Sequence, residues 1–232
     1  MERILLIETS TALCSVALIE NERISSYKES SQNKAHASLT AVFIQEILEE
    51  NQITTNDLDA VCVSMGPGSY TGLRVGVSTA KGLCFGAGKP LLAVGTLDTL
   101  VWQAISEDLV PQDCKYIIPM IDARRMEVYT AVFSSTGEQI TETRPLIVTE
   151  DSFAKELSEG HVLFIGDGAD KCKEILANPH SHFAQCQPKA SAMLTPAIRE
   201  YKEKRFKDVA YFEPFYLNVL SMLDSAHHLS HS

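Results

Sequence analysis

Short apolar runs rich in β-branched residues recur along the first hundred residues and predict strands. Residues 3–8 form such a run, which ends at Glu8 and is followed by a small polar turn. The run at 15–19 comes directly after that turn, so the two segments predict a β-hairpin. Further strands are predicted at 24–27, 60–64 and 91–94.

A helical period separates these strands. Leu39, Phe43 and Ile47 recur at every fourth position, which is typical of an amphipathic helix with one buried face. Gly86 and Gly88 end a second helical segment that opens after a glycine-rich loop. Helices are predicted over 36–50, 73–85 and 97–105.

The order of elements starts again near residue 116. A strand over 116–121 ends at Asp122, and a polar turn leads into a strand over 127–133, much as the first strand ends at Glu8. A weak internal repeat of this kind predicts two related α/β lobes. The remaining predictions are a strand at 162–165 and helices at 171–176 and 194–204.

Charge and hydropathy limit the classes of function. The 232 residues carry a formal net charge of −10, which disfavours direct binding of a nucleic acid because an acidic surface repels phosphates. No apolar run approaches the roughly 20 residues that cross a bilayer, and the chain enters its first strand without a basic leader. A cytoplasmic protein is expected, and any nucleic-acid partner would be reached only indirectly.

The cysteines indicate structure rather than chemistry. No two of them form a C-x-x-C unit, and several lie in apolar runs, which predicts buried free thiols in a reducing compartment. The six are Cys14, Cys62, Cys84, Cys114, Cys172 and Cys186.

The glycine-rich loop at 66–72 is the most informative segment. It follows a predicted strand and opens a helix, where backbone N–H groups can hold an anion. Its spacing fits neither the Walker pattern nor the dinucleotide fingerprint. Two interpretations stay open, a structural turn and an anion or nucleotide site. The candidate residues for the second are Gly66, Gly68, Ser69 and Thr71.

Glycines also lie inside the predicted helix that follows the loop. Gly76 and Gly82 each cost about 1 kcal/mol relative to alanine in a helix interior. Such a cost is tolerated where another backbone approaches closely. The approaching element is either this chain's own sheet or the helix of a partner.

Several motifs together resemble the bacterial TsaB (YeaZ-type) family, which is related to the TsaD proteins. The match is dense over residues 1–135 and looser afterwards. The segments that carry it are 36–39, 66–76, 80–83, 122–124, 127–129, 166–169 and 213–217. One departure is Glu8, where relatives usually have Asp.

The resemblance implies an α/β fold of the actin/Hsp70/sugar-kinase (ASKHA) type with two ribonuclease H-like lobes. An N-terminal lobe is expected at 1–102, completed by 206–225, with a smaller lobe at 103–205 and a tail at 226–232. The implied function is that of a non-catalytic partner of TsaD. That complex forms N6-threonylcarbamoyladenosine at position 37 of tRNAs that read codons starting with A.

The resemblance also implies partners and a surface. TsaD is expected to bind directly through paired helices, and TsaE is expected to join the complex. ATP or ADP is possible at the joint between subunits. The free chain is expected to form a homodimer through the same face. The implied interface residues are His36, Leu39, Phe43, Leu73, Val77 and Lys81, with Ser69, Tyr70 and Arg74 at the edge.

No catalytic residue and no metal ligand is expected. The two histidine positions of TsaD's H-x-x-x-H pair correspond to Thr96 and Leu100, whose side chains cannot replace imidazoles as ligands. Glu8 and Asp122 are either turn residues or paired acids across a cleft.

Two enzymatic alternatives stay open: a small ATPase or kinase of the same fold, and a glycoprotease-like metallopeptidase. The C-terminal histidines have the spacing of a helical metal site if that segment is ordered, and otherwise form a solvated tail. They are His227, His228 and His231.

Overall fold

Two β-sheets with the same strand order form the framework of the chain. The computed structural model describes residues 2–32 and 36–216, except for the side chains of His36 and Ala37. The first sheet has the order β3-β2-β1-β4-β5, in which β1 to β3 are antiparallel and β4 and β5 run parallel to β1. Its strands are β1 (Arg3–Glu8), β2 (Cys14–Glu20), β3 (Arg23–Ser30), β4 (Ala60–Ser64) and β5 (Leu91–Val94).

The second sheet repeats this topology. Its order is β11-β10-β6-β7-β9, with antiparallel pairing from β6 through β7 to β9 and parallel pairing from β6 through β10 to β11. The short β8 also pairs with β6. The strands are β6 (Cys114–Asp122), β7 (Glu127–Thr130), β8 (Phe133–Ser134), β9 (Arg144–Ile147), β10 (His161–Ile165) and β11 (Ser181–Ala184).

The repeat of strand order confirms the predicted fold class. Each lobe has a ribonuclease H-like sheet with three antiparallel strands followed by two parallel ones, and the pair forms an ASKHA-type molecule. The weak repeat in the sequence therefore reflects a true repeat in topology.

In the described part of the chain, five helices cover the faces of the two sheets. Helices α1 and α2 pack on one face of the first sheet, and α5 packs on the other face together with the 190–193 turn. Helix α3 covers one face of the second sheet and α4 the opposite face. The helices are α1 (His36–Glu50), α2 (Tyr70–Ala87), α3 (Thr96–Ser106), α4 (Ala154–Glu159) and α5 (Leu194–Lys202).

The packing of α3 and α5 differs from the expected lobe boundaries, which stay a prediction. The expected boundary at 102 falls inside α3, whose buried side chains belong to the core of the second sheet. Helix α5, which lies within 103–205, instead packs on the first sheet through Ala197. The tail at 226–232 and its three histidines lie outside the described residues.

The second lobe contains the main differences from the predicted elements. The helix predicted at 171–176 is a 3₁₀ turn, Asp170–Cys172, followed by further turn, because the chain soon reaches Pro179 and must enter β11. The strand predicted at 127–133 is divided between β7 and β8. Elements β9, α4 and β11 were not predicted, because none of them is a continuous buried apolar run like the four-residue β5.

The cysteine prediction is confirmed, because all six thiols are free and buried. Burial raises the pKa of the Cys84 thiol to about 11, so this side chain behaves as a small apolar group. Within the described part of the chain, no helix is both long and apolar enough to span a membrane.

Candidate partner-docking surface

The glycine loop packs directly on the turn between β1 and β2. A Cβ atom on Gly68 would lie 2.3 Å from the Ser10 carbonyl oxygen, and one on Gly72 would lie 2.0 Å from the Thr9 oxygen. The Ser69 N–H donates a hydrogen bond of 2.6 Å to the Ser10 carbonyl. Side chains at these two glycines would therefore push the loop away from the turn.

The same contact fixes the start of α2. The Ser69 hydroxyl accepts a hydrogen bond from the Gly72 N–H, as an N-cap does, so the helix begins at Tyr70 rather than at residue 73. The Thr9 hydroxyl donates to the Gly72 carbonyl at 2.8 Å. A Cβ atom on Gly76 would lie 2.3 Å from that hydroxyl, so Gly76 is explained by packing inside this chain.

The four candidate anion-binding residues do not form an open cradle. Gly66 and Gly68 are buried, whereas Ser69 and Thr71 are exposed. The N–H groups of Ser69 and Gly72 already donate to protein oxygens. The buried glycines and the occupied N–H groups favour the interpretation as a structural turn. An anion-binding site at these residues stays a prediction.

Glu8 is buried behind this turn. Its Oε1 accepts a hydrogen bond of 2.7 Å from the Ser10 N–H, and its Oε2 has no hydrogen-bond partner within the described part of the chain. Burial raises the pKa of the Glu8 carboxyl to about 7. The side chain therefore holds its own turn in place and is fully removed from solvent.

Asp122 has a different environment. Its carboxylate pairs with Lys171 and accepts a hydrogen bond of 2.8 Å from the Arg124 N–H. Desolvation raises the pKa of this carboxyl, but these partners outweigh it and the pKa lies below its ordinary value. Asp122, like Glu8, is engaged with its own turn, and the two acids are not hydrogen-bonded to each other.

One face of α2 is open. Arg74, Ser78, Gly82, Phe85 and Gly86 repeat at helical spacing and are all exposed. We refer to these five residues as the open face of α2. Cβ atoms placed on its two glycines would meet nothing within 4 Å, and the Phe85 side chain is 86% exposed.

The other predicted interface residues differ in exposure. Tyr70 is 59% exposed, and the Arg74 guanidinium lies 5.4 Å from the centre of its ring. Ser69 is exposed, whereas Leu39 and Phe43 of α1 are half-buried. The side chain of His36 lies outside the described residues.

Three predicted interface residues are already engaged within the chain. Leu73 is fully buried and Val77 is 5% exposed, because the helical period turns both toward the first sheet. The Lys81 ammonium donates to the carbonyls of Ala210 and Phe212 at 3.0 and 3.1 Å. Leu73 and Val77 are therefore not open to a partner in this structure, and their assignment to the interface stays a prediction. Lys81 anchors a segment of its own chain.

The segment at 212–216 joins the glycine loop to the second lobe. The Phe215 N–H donates to the Met65 carbonyl at 2.7 Å, and a Cβ atom on Gly66 would lie 2.7 Å from the Phe215 oxygen. The Phe215 ring meets Tyr129 edge to face at 6.1 Å. This contact explains why a C-terminal motif accompanies the loop in the sequence, although Leu217 lies outside the described residues.

The positions of the absent histidine pair are filled by packing. Thr96 is buried, with its hydroxyl 3.0 Å from that of Ser64. Leu100 is fully buried in the core of the second lobe. Neither side chain offers a metal ligand.

Two clefts lie where the lobes meet. The smaller, of about 180 Å³, lies between Thr11 and Asp167. The larger, of about 600 Å³, is lined by Gly66, Gly95 and Phe215 and by charged side chains. Among those charged groups, Arg199 pairs with Asp98 at 2.7 Å and Arg205 pairs with Glu200.

The comparisons with known proteins agree with this geometry. Residues 23–215 match the family model described as TsaD, tRNA N6-adenosine threonylcarbamoyltransferase. The structure of YeaZ from Pseudomonas aeruginosa superimposes with a TM-score of 0.80 at 25% identity, covering 94% of this chain and 100% of that one. The molecule is thus a two-lobed ASKHA protein of the TsaD-related class.

Its place within that class follows from curated relatives. The Escherichia coli tRNA threonylcarbamoyladenosine biosynthesis protein TsaB is 30% identical over 225 residues, 93% of this chain and 94% of that protein. The Haemophilus influenzae TsaB is 29% identical over 224 residues, 92% of each chain. This chain belongs to the TsaB/YeaZ family of tRNA threonylcarbamoyladenosine biosynthesis proteins.

We predict that Gly72→Ala destabilises the fold by about 1–3 kcal/mol, because the new methyl group would overlap the Thr9 carbonyl. Gly82→Ala is the matched control and should stabilise α2 by up to about 1 kcal/mol, since its methyl group meets open space. Urea unfolding measures both free energies. Equal effects of the two substitutions would contradict the packing described here.

We predict a pH-dependent stability that depends on Glu8. Its pKa rises on folding from 4.5 to about 7, so between these values only the folded state holds the proton. The free energy of unfolding should fall by roughly 3 kcal/mol as the pH rises through that window, and no further above it.

Glu8→Gln removes the titration, so the variant should lose less stability over this window and exceed the parent at pH 8. Glu138→Gln, at an exposed position, is the control and should follow the parent. Denaturant unfolding at pH 5 and pH 8 gives the comparison, and parallel curves for parent and Glu8→Gln would exclude a titrating Glu8.

Proposed function

We propose that this chain is a non-catalytic partner subunit of a TsaD-containing complex that forms N6-threonylcarbamoyladenosine at position 37 of tRNA. The observation that carries the proposal is the open face of α2, an exposed helix surface with two glycines and one unpacked phenylalanine. The family supplies the pathway, and this surface supplies a place for a partner.

Packing among the described residues does not explain the glycines of this face. Gly82 lies in the interior of α2, where a glycine costs about 1 kcal/mol, and Gly86 lies in its last turn. No neighbour within the described residues approaches either of them. A partner helix could approach closely at such positions, because no side chain separates the backbones. Phe85 would then be buried rather than left in water.

Catalysis by this chain alone has little support from its residues. Thr96 and Leu100 stand where the TsaD-type sequence has a histidine pair, and both are packed inside. The interlobe cleft beside Asp167, at about 180 Å³, lies below the roughly 300 Å³ at which ligand pockets usually begin. The larger cleft of about 600 Å³ is of ligand size, but its Arg199 and Arg205 side chains are paired with acidic side chains of the same chain. The framework of the fold is retained while the groups for metal chemistry are absent from these two positions.

The partners follow from the surface and the charge. TsaD would pack its own helices against α1 and the open face of α2, and TsaE would join that pair. A second copy of this chain would occupy the same face in the absence of TsaD. The net charge of −10 favours a complex in which another subunit holds the cytoplasmic tRNA. ATP or ADP is possible at the joint between subunits.

The direct test mixes the purified chain with TsaD of the same organism and measures the mass of the complex by light scattering. We expect a stable complex with the parent protein. Gly82→Leu and Phe85→Asp should each weaken binding by about tenfold or more, because the first blocks close approach and the second places a charge in the interface.

Ile147→Asp is the matched control. Ile147 is 68% exposed on β9 of the second lobe, so its substitution also removes an exposed apolar group but lies away from the open face of α2. It should bind TsaD as the parent does. Unchanged binding by both Gly82→Leu and Phe85→Asp would refute this interface.

A second assay tests the activator role itself. TsaD should form threonylcarbamoyladenosine in tRNA only when this chain is present, as measured by nucleoside mass spectrometry, and the two interface variants should fail to support it. Turnover of ATP or tRNA by this chain in isolation would instead support the enzymatic alternative.

A further inference from the structure

Four side chains with metal-binding or acidic groups meet at one edge of the second sheet. Asp113 directly precedes β6, His161 is the first residue of β10, and His182 lies in β11. These three strands are neighbours and run parallel, so their N-terminal ends lie side by side at one end of the sheet. His180 directly precedes β11 and lies beside them.

The atoms of the first three residues converge. The Nδ1 atom of His161 lies 2.8 Å from the Nε2 atom of His182, and the Nε2 atom of His161 lies 3.3 Å from an oxygen of Asp113. One ligand atom from each of the three lies within 4.8 Å of the other two. The His161 ring thus lies between the other two side chains, with its Nδ1 atom facing His182 and its Nε2 atom facing Asp113.

We propose that His161, His182 and Asp113 form a binding site for a divalent transition-metal ion of the Zn²⁺ type. Two imidazoles and one carboxylate are a donor set that zinc accepts with a water molecule in the fourth position. Nitrogen ligands of a tetrahedral zinc lie about 3.3 Å apart when each bond is about 2.0–2.1 Å long. The imidazole pair thus needs to open by about half an ångström, and the Asp113 carboxylate needs to turn from the Nε2 side of His161 toward its Nδ1 side.

The surroundings leave this carboxylate available. The neighbouring Lys115 pairs with Glu159 at 2.7 Å and so is not bound to Asp113. The side chain of Asp113 is 63% exposed, which allows it to adjust to an ion. Metal binding here would replace the direct contact between two imidazoles by two metal–nitrogen bonds.

Two nearby groups lie outside the ligand set. The Nδ1 atom of His180 lies 2.9 Å from the Leu157 carbonyl and donates to it, which holds the ring at the side of His161. The Cys114 thiol donates to the Tyr116 carbonyl, and burial raises the pKa of this thiol, so it is not a ready thiolate ligand. His180 therefore provides a matched comparison for His182.

The site would act on the fold rather than on the docking surface. Strand β11 is at the edge of its sheet, and an ion held by three strands would fasten this edge to β10 and β6. The opposite end of β6 carries Asp122, so the metal would bind at the far end of the lobe from that turn. Zn²⁺ should stabilise the second lobe and leave TsaD binding unchanged.

The test uses untagged full-length protein in which His227, His228 and His231 are replaced by alanine, so that the C-terminal histidines cannot bind the probe. Titration calorimetry with zinc chloride should give one Zn²⁺ per chain, and saturating Zn²⁺ should raise the Tm by mass action. Co²⁺ should give the visible bands of a four-coordinate site.

Substitutions then assign the ligands. His161→Ala, His182→Ala and Asp113→Asn should each weaken Zn²⁺ binding by about tenfold or more and remove most of the Tm increase. His180→Ala removes an imidazole from the same cluster but should bind Zn²⁺ within about threefold of the parent. Circular dichroism shows whether each variant keeps its fold.

Two results would overturn the proposal. The first is no saturable Zn²⁺ binding at micromolar concentrations in the protein that lacks the C-terminal histidines. The second is Zn²⁺ binding that survives His182→Ala and Asp113→Asn together, or that is lost equally in His180→Ala. None of these results depends on TsaD, so the outcome is independent of the proposed function.

Discussion

The contact between the glycine loop and the β1–β2 turn determines how the first lobe presents its surface. Two glycines allow backbone atoms of residues 68 and 72 to approach the carbonyls of Ser10 and Thr9 more closely than any side chain would permit. This approach fixes where α2 begins and how it is rotated on the sheet. Leu73 and Val77 are turned inward as a result, and the opposite face of the helix is left open.

The glycines of α2 therefore divide into two groups. Gly72 and Gly76 are explained by Thr9, which lies within the space that their Cβ atoms would occupy. Gly82 and Gly86 face open space in the described structure, so their cost to the helix is not recovered by this chain. The first group serves folding, and the second is consistent with assembly.

The two lobes show how one topology is maintained with different local chemistry. Glu8 and Asp122 occupy equivalent places at the ends of β1 and β6, yet one is buried with a raised pKa and the other forms an ion pair in partial contact with solvent. The second lobe also places imidazoles at the opposite end of its parallel strands. Sheet topology constrains the backbone, whereas burial decides what each ionisable side chain does.

The sequence by itself determined the α/β class, the bounds of α1, the repeat of lobes and the family, because these depend on local periodicity and on motifs. It did not show which face of α2 is buried, since Val75, Val77 and Leu83 give apolar positions on several sides. It also missed β9 and β11, and with β11 the meeting of Asp113, His161 and His182, which are 48 and 21 residues apart along the chain. Only tertiary pairing of strands brings such distant residues together, because nothing in local sequence records which strands become neighbours.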